Sequence, residues 1–421
     1  MKIHSFVRFT PLIALAAAAL DASGQAGQRP SLAGEEAARR LQNSARPDDY
    51  HFRLGSSLFQ TEASVGISYN DNIYRAYTDT RDDVSVSPEV KLRGWVPVTE
   101  LNSLRFSLGL GYQWYAKNSQ LNSDSPLIHP DSELSFHLFA GAVHLELHDR
   151  FGYQESLLMS RFDRNETFFN FNNVGKFAYL NNRAGFKLDW DLNQVILTAA
   201  YDHDIFESYT GRFDYLDRGS ELVELRAAYV FDSGAQAGLE SKGGYHDYQV
   251  GTPLNDHWRA RVGPFVEFMF RDGISVRLGA GYDTARFSQG LGAGNDFDTY
   301  YAYGQLNQRL RWFAHSLAVG RESELGNNAN NLKQTYLRYS LTTGAIRHVE
   351  LRAYGSVNFA EEFGGTYSEE FDYYRIGVSA GYQFHKYWRT DLGYSVTLKS
   401  SELTQADMVQ NQVTLSLAFR F

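Results

Sequence analysis

From Leu58 to the last residue, apolar residues alternate with polar or small ones, as in the segments Leu104 to Trp114 and Ile376 to Phe384. Successive side chains of a strand point to opposite faces, so a two-residue period predicts strands with one apolar face. Eighteen such segments can be counted, at residues 58–75, 82–97, 101–117, 131–139, 142–155, 178–192, 194–207, 217–231, 235–248, 255–270, 274–288, 297–312, 315–323, 332–344, 348–363, 368–384, 387–400 and 407–421. The chain is therefore predicted to be an all-β protein.

The connections between these segments alternate between short and long. Short ones are expected at residues 97–100, 140–141, 193, 232–234, 271–273, 313–314, 345–347 and 385–386. An even strand number with short turns at one rim and long loops at the other is typical of a transmembrane antiparallel β-barrel. Many segments also exceed the ~9 to 11 residues that cross a bilayer, whereas a soluble sandwich or propeller usually has shorter strands.

Aromatic residues make up 15% of the chain, and seven of them stand just before a short turn. Such rings are expected to form a girdle at the level of the lipid headgroups. The seven are Trp95, Phe139, Trp190, Phe231, Phe270, Trp312 and Phe384.

The N-terminal region differs in texture from the rest. Residues 1–26 have basic residues, the apolar run Pro11 to Leu20 and then small residues, which predicts a cleaved secretory signal. Residues 27–57 are polar and read as a periplasmic tether, so the barrel domain is expected over 58–421.

Composition and motifs exclude several functional classes. The net charge of −9 without a basic cluster argues against a nucleic-acid partner, and the absence of Cys removes disulfides and thiolate metal sites. No nucleophile, zinc-protease or nucleotide-binding motif occurs. Asp202, His203 and Asp204 are adjacent, but on a strand His203 would point away from its neighbours. We therefore expect a protein that is not an enzyme and that has no cofactor and no metal site.

If the apolar positions face lipid, the charged positions between them face the lumen. The predicted pore-lining residues are Lys91, Arg93, Arg105, Glu146, Asp189, Glu224, Arg226, Arg277, Arg309, Arg311, Arg338, Arg352, Arg375 and Arg389. Two interpretations remain open. These charges tune ion selectivity, or they pair locally, as Glu224 with Arg226 and Glu350 with Arg352 would.

The longest loop, residues 156–177, joins the fifth and sixth segments and holds clustered phenylalanines among charges. Folding it into the lumen would bury them and narrow the channel, as the constriction loop of general porins does; a surface flap is the alternative. The candidate constriction residues are Arg161, Asp163, Arg164, Glu166, Phe168, Phe169 and Phe171.

Histidines lie near one short turn. If Ala140 and Gly141 form that turn, His137 opposes His144 across the hairpin and Glu133 opposes His148. Such a pair could bind a divalent ion, respond to pH, or belong to an ordinary polar wall.

The last segment alternates from Val409 to a terminal Phe421. This looks like the signal read by the outer-membrane barrel-assembly machinery, with Phe419 and Phe421 as its key residues. The opening segments, Ala63 to Arg75 and Val84 to Pro97, resemble the β-barrel porin-2 family of Gram-negative outer-membrane proteins. The resemblance implies an outer-membrane barrel and supplies no catalytic residues.

Three functions are compatible with these observations. The first is a porin-like channel for passive diffusion of small hydrophilic solutes through the cell outer membrane. The second is a conduit or accessory barrel for exopolysaccharide export, and the third is a surface adhesin or structural barrel. The expected partners are outer-membrane lipid and lipopolysaccharide, the assembly machinery, and a small hydrophilic solute or a polysaccharide.

Overall fold

A computed structural model describes residues 50–155, 176–249, 254–270, 273–288, 296–364, 367–403 and 405–421. Eighteen long strands form its wall. They are β2 (Ser57–Asn70), β3 (Asp83–Pro97), β4 (Ser103–Gly111), β6 (Leu127–Ala140), β7 (Val143–Glu155), β8 (Ala178–Asp191), β9 (Val195–Ser208), β10 (Arg218–Val230), β11 (Gln236–Tyr248), β12 (His257–Phe270), β13 (Ile274–Phe287), β14 (Phe297–Arg309), β15 (Phe313–Leu325), β16 (Asn331–Ile346), β17 (Val349–Phe363), β18 (Glu369–His385), β19 (Trp388–Ser401) and β20 (Met408–Arg420).

Two short strands complete the sheet. β1 (Phe52–Leu54) pairs with the start of β2, and β5 (Trp114–Tyr115) extends the edge of β4 along β3. Part of the predicted tether is thus a strand attached to the wall.

The wall closes on itself. Each long strand pairs antiparallel with its neighbour in the chain, and β20 returns to β2, where Glu62–Asn70 pair with Arg420–Gln412. Closure leaves no long free edge along that seam, which is what a sheet needs inside lipid. The predicted eighteen-stranded barrel is confirmed.

The connections at one end, here called the short-turn end, are tight because left-handed backbone is available there. Gly141, Asn193 and His348 have positive φ values of 59°, 71° and 63°. In the part of the chain that the structure describes, no helix is both long and apolar enough to span a bilayer.

Several predicted turns are shifted along the chain, among them those of the β14–β15, β6–β7, β16–β17 and β18–β19 hairpins. Phe313 and Ala314 begin β15, and the turn uses residues 310–312, since Leu310 donates to the Phe313 carbonyl at 2.8 Å. At the β6–β7 hairpin Ala140 pairs with Val143, so Gly141 and Ala142 form the turn. Turn composition indicated a reversal at each of these places but could not fix its residues.

The two faces of the wall differ as the alternation predicts. Apolar side chains such as Val65, Ile67, Leu239 and Ile376 are exposed on the outer face, while charged and polar side chains occupy the alternate, inner positions. The outward aromatics near the short turns include Trp190, Phe270, Trp312 and Phe384.

Two of the predicted girdle aromatics face inward instead. Trp95 is 7% exposed and Phe139 is 8% exposed. Trp95 follows Lys91 and Arg93 at intervals of two residues on β3, so all three side chains point to the same inner face. Phe139 stacks on the inward His144, with 4.4 Å between the ring centroids. Assigning both to the outer girdle was wrong, because nearness to a turn does not decide which face a side chain occupies.

Candidate functional site

The candidate site is the inner face of the barrel, which is lined by charged side chains. Alternation and register place the predicted residues Lys91, Arg93, Arg105, Glu146, Asp189, Glu224, Arg226, Arg277, Arg309, Arg338, Arg352, Arg375 and Arg389 on this face. Arg311 is the exception. It lies in the turn between β14 and β15, with its guanidinium 5.1 Å from the Trp312 ring, so its placement on a lumenal strand was wrong.

Arginine, carboxylate and aromatic side chains interlock on the inner face of β10–β14. Arg226 and Arg277 lie 4.3 and 5.4 Å from the ring centroid of Phe265, which is only 2% exposed. Glu240 accepts hydrogen bonds from Arg277 at 2.8 Å and from the Tyr303 hydroxyl at 2.7 Å. Stacked and paired guanidiniums are held in fixed positions on this wall.

Pairing between strands replaces one of the expected pairs. Glu224 bonds Lys242 at 2.9 Å, and Arg226 bonds Glu267 at 3.3 Å, so the predicted Glu224–Arg226 pair does not form. Residues two apart on a strand are farther from each other than residues directly across a strand pair, which favours the cross-strand partner. Glu350 does pair with Arg352, and also with Arg389 at 3.2 Å.

Most lumenal charges are therefore neutralised by a neighbour. Lys91 pairs with Glu89 at 2.8 Å, and Lys187 lies 3.6 Å from Asp189. Within the described residues, Arg93 and Arg309 make no ion pair, and both are exposed. The inner face thus combines local neutrality with a few free cations.

Histidines, acids and an arginine meet on the inner face of β4, β6, β7 and β9. His137 Nδ1 lies 3.2 Å from His144 Nε2, and His148 Nε2 lies 2.7 Å from Asp202. The cross-strand register is shifted by two residues from the prediction, so His137 opposes Glu146 and Glu133 opposes Arg150. His137 and His144 still contact each other, because they are diagonal neighbours across the strand pair. No group of three or more metal-ligating side chains occurs among the described residues.

His203 on β9 does not belong to this inner cluster. His203 points away from its two neighbours, as predicted, which puts it on the outer face, and it lies 2.9 Å from Glu221. Asp202 and Asp204 remain on the inner face, so the three adjacent residues do not share a site.

The long-loop end contains a cluster that the sequence did not predict. Ile73, Leu121, Phe213, Leu216 and Leu254 come from four different connections, and they are buried together against the inward strand residues Tyr115, Phe206 and Tyr248. The rings of Phe177 and Phe213 are 4.6 Å apart. We call these nine residues the loop cluster. Loops that meet inside the wall narrow that mouth of the lumen.

Polar contacts also join other connections at this mouth of the barrel. Burial, with the added effect of Glu362 on β17, raises the pKa of Tyr215 in the β9–β10 connection to about 12. Asn255 and Asn330, from connections separated by four strands, bond each other at 3.0 Å. Glu362 accepts a hydrogen bond from the backbone N–H of Asn327 at 2.9 Å.

A buried ion pair joins β18 and β19 near this mouth of the barrel. Lys399 and Glu369, 3% and 0% exposed at their side chains, lie 2.6 Å apart. Ser401 and Tyr367 both donate to Glu369 at 2.6 Å, which satisfies the buried carboxylate.

The remaining predicted site residues have two outcomes. Phe419 and Phe421 lie on the outer face at the end of β20, with ring centroids 5.5 Å apart. The predicted constriction residues Arg161, Asp163, Arg164, Glu166, Phe168, Phe169 and Phe171 lie outside the described residues. Arg259, Arg261 and Phe265 on β12 were missed, although the alternation of Trp258, Ala260 and Val262 places them inward.

Solved outer-membrane proteins of Pseudomonas aeruginosa share similarity with this chain. OccK2 (OpdF) in complex with glucuronate is 9% identical, with a TM-score of 0.49 over 88% of this chain and 100% of its own. OpdQ is 12% identical, with a TM-score of 0.49 over 87% and 100%. The outer membrane protein opdK is 11% identical, with a TM-score of 0.46 over 86% and 99%. No family model and no curated protein matches the chain, so membership of the porin-2 family stays a prediction.

Proposed function

We propose that this chain is a channel of the Gram-negative outer membrane through which small hydrophilic solutes diffuse passively. The observation that carries the proposal is the closed eighteen-stranded wall with an apolar outer face and a charged inner face. Barrels of this strand number enclose a lumen wide enough for water, whereas eight-stranded barrels fill theirs with side chains.

Strand length fits a membrane. The long strands run from 9 residues in β4 to 17 in β18, and most have 13 to 15. At ~3.3 Å per residue and a tilt of about 40°, a strand of that length rises ~33 Å, which exceeds the ~25 Å apolar band of such barrels. In water the exposed apolar belt would be a large aggregation-prone surface.

The inner face supports transport of hydrophilic solutes. Charged pairs such as Arg277 with Glu240 and Arg389 with Asp391 lie on the inner face. A charged side chain needs water or a charged partner, so a lumen filled with apolar groups would not accommodate them. By analogy with other barrels, the short turns face the periplasm and the long loops the cell exterior.

A structural or adhesive barrel is the competing function, and the loop cluster favours it because the packed loops narrow one mouth. Conductance in planar bilayers separates the two. A channel gives stable open steps that rise with salt concentration, and liposomes containing it swell in small sugars. Correctly folded, heat-modifiable protein that inserts without any open step would overturn the proposal.

A further inference from the structure

The wall splits between β14 and β15 in its upper half. These strands pair from Arg309 with Ala314 up to Ala302 with Arg321, and there the pairing ends. On the outer sides of the two strands pairing continues, since Phe297 of β14 still pairs with β13 and Leu325 of β15 still pairs with β16. The two strands therefore diverge above Arg321 and leave a fork.

The upper part of β15 is held inside the barrel by residues of β12 and β13. Arg261 donates to the Ser323 carbonyl and lies 3.4 Å from Glu322. Arg259 donates to the Ser323 hydroxyl at 2.6 Å, and that hydroxyl donates to Asp283. Charged hydrogen bonds from two arginines fix the displaced strand end, so the fork is a built feature and not a frayed end.

Aromatic and cationic side chains face the membrane at this fork. Tyr300 is 58% exposed on the outer face, opposite Tyr282. The Arg321 guanidinium lies 4.7 Å from the centroid of the Tyr300 ring. Its Nε is buried and makes no hydrogen bond, and the residue makes no ion pair within the described parts of the chain.

Neighbouring cations are neutralised, unlike Arg321. Arg286 bonds both oxygens of Asp298, at 2.8 and 3.0 Å, and Lys333 lies 2.6 Å from Glu361. Arg321 is thus a cation without an acidic partner among the described residues, and its guanidinium lies beside the exposed Tyr300 ring.

Arg321 lies in the upper part of the apolar band, just below the headgroup region. It stands eight residues beyond Phe313, the first residue of β15 at the short-turn end. That is ~26 Å along the strand and ~20 Å along the barrel axis, close to the upper edge of the ~25 Å apolar band. A cation at this depth is costly unless an anion or water reaches it.

We propose that Arg321 and Tyr300 bind a phosphate group of the phosphorylated glycolipid in the outer leaflet, with its acyl chains along the outward Val319 and Leu337. A guanidinium makes paired hydrogen bonds to phosphate, and the stacked tyrosine holds it in position. The inference rests on the proposed outer-membrane location, which puts the long-loop end in that leaflet.

The test is lipid binding to the purified full chain in detergent, measured by native mass spectrometry with lipid A that carries two phosphates. Arg321→Gln should weaken binding about tenfold, the loss expected for one charged hydrogen-bonded contact, and Arg321→Lys should restore part of it. The lumenal Arg93→Gln removes an equal charge from the other face and should leave binding unchanged.

Three results would overturn the site: Arg321→Gln binding as tightly as the parent, dephosphorylated lipid A binding as tightly as the phosphorylated form, or phosphatidylglycerol binding as tightly as lipid A. Each variant is first checked for heat-modifiable folded barrel. Because this measurement does not use conductance, a barrel without open steps that still binds lipid A through Arg321 contradicts the channel function alone.

Discussion

Deleting Phe421 is expected to lower the amount of membrane-inserted barrel several fold while export of the chain continues. Phe421 is an outward residue at the seam that closes the barrel: its N–H donates to the Thr61 carbonyl at 3.2 Å, and the Thr61 hydroxyl donates to its carbonyl. The Phe419 ring stacks on Phe421 and lies 4.6 Å from Trp388. Deleting Phe421 removes a predicted assembly signal together with the last contacts of β20, the strand that closes the barrel.

Heat-modifiable barrel in isolated outer membranes measures the effect, with the periplasmic level of the chain measured in parallel. Phe384→Ala is the matched control, since it removes another exposed outward aromatic near the same rim without touching the seam. Refolding the deletion variant in micelles separates the two roles. Normal folding there with poor insertion in cells indicates a recognition signal, whereas normal insertion in cells would refute the assignment.

The sequence was sufficient for the strands and their number because alternation is local information. A residue such as Leu239 or Ile376 reports its own face through its neighbours, and every one of the eighteen segments corresponds to a wall strand. Face assignment failed where a second rule was preferred to alternation. Trp95 and Phe139 were placed by their nearness to a turn, and both are inward.

Register and long-range contacts could not be obtained in the same way. The β6–β7 turn lies one residue later than predicted, so each residue of β6 pairs with a residue of β7 two positions further along. Each side chain keeps its face, but His137 has a new partner. The fork at Arg321 depends on Arg259 and Arg261 reaching across two strands, and no periodicity encodes such a contact.

The loop cluster was missed because loops carry no period. A weaker signal was present, since Phe213 and Leu216 are large apolar residues in an otherwise polar connection. Residues of this kind are costly on a surface, so they indicate that a connection folds onto something apolar. Only the structure shows that the partners are Ile73, Leu121 and Leu254 from other connections.

Replacing both Phe213 and Leu216 by Ala should open the long-loop mouth and raise single-channel conductance about twofold. The two side chains are 7% and 1% exposed, and burial of each stabilises the packed loops by about 1.5–3 kcal/mol. Losing both removes about 3–6 kcal/mol from an element without regular strand pairing, which is enough to populate an open arrangement. The wall itself should stay intact, since neither residue belongs to a strand.

Tyr209→Ala is the matched control, because Tyr209 lies in the same connection but is exposed and outside the loop cluster. Its conductance should equal that of the parent. The double variant should also be cleaved sooner by an external protease in the β9–β10 connection, since opened loops expose their backbone. Increased cleavage with unchanged conductance would mean that the cluster packs beside the conduction path and does not narrow it. Unchanged cleavage and conductance would mean that these two side chains do not hold the loops together.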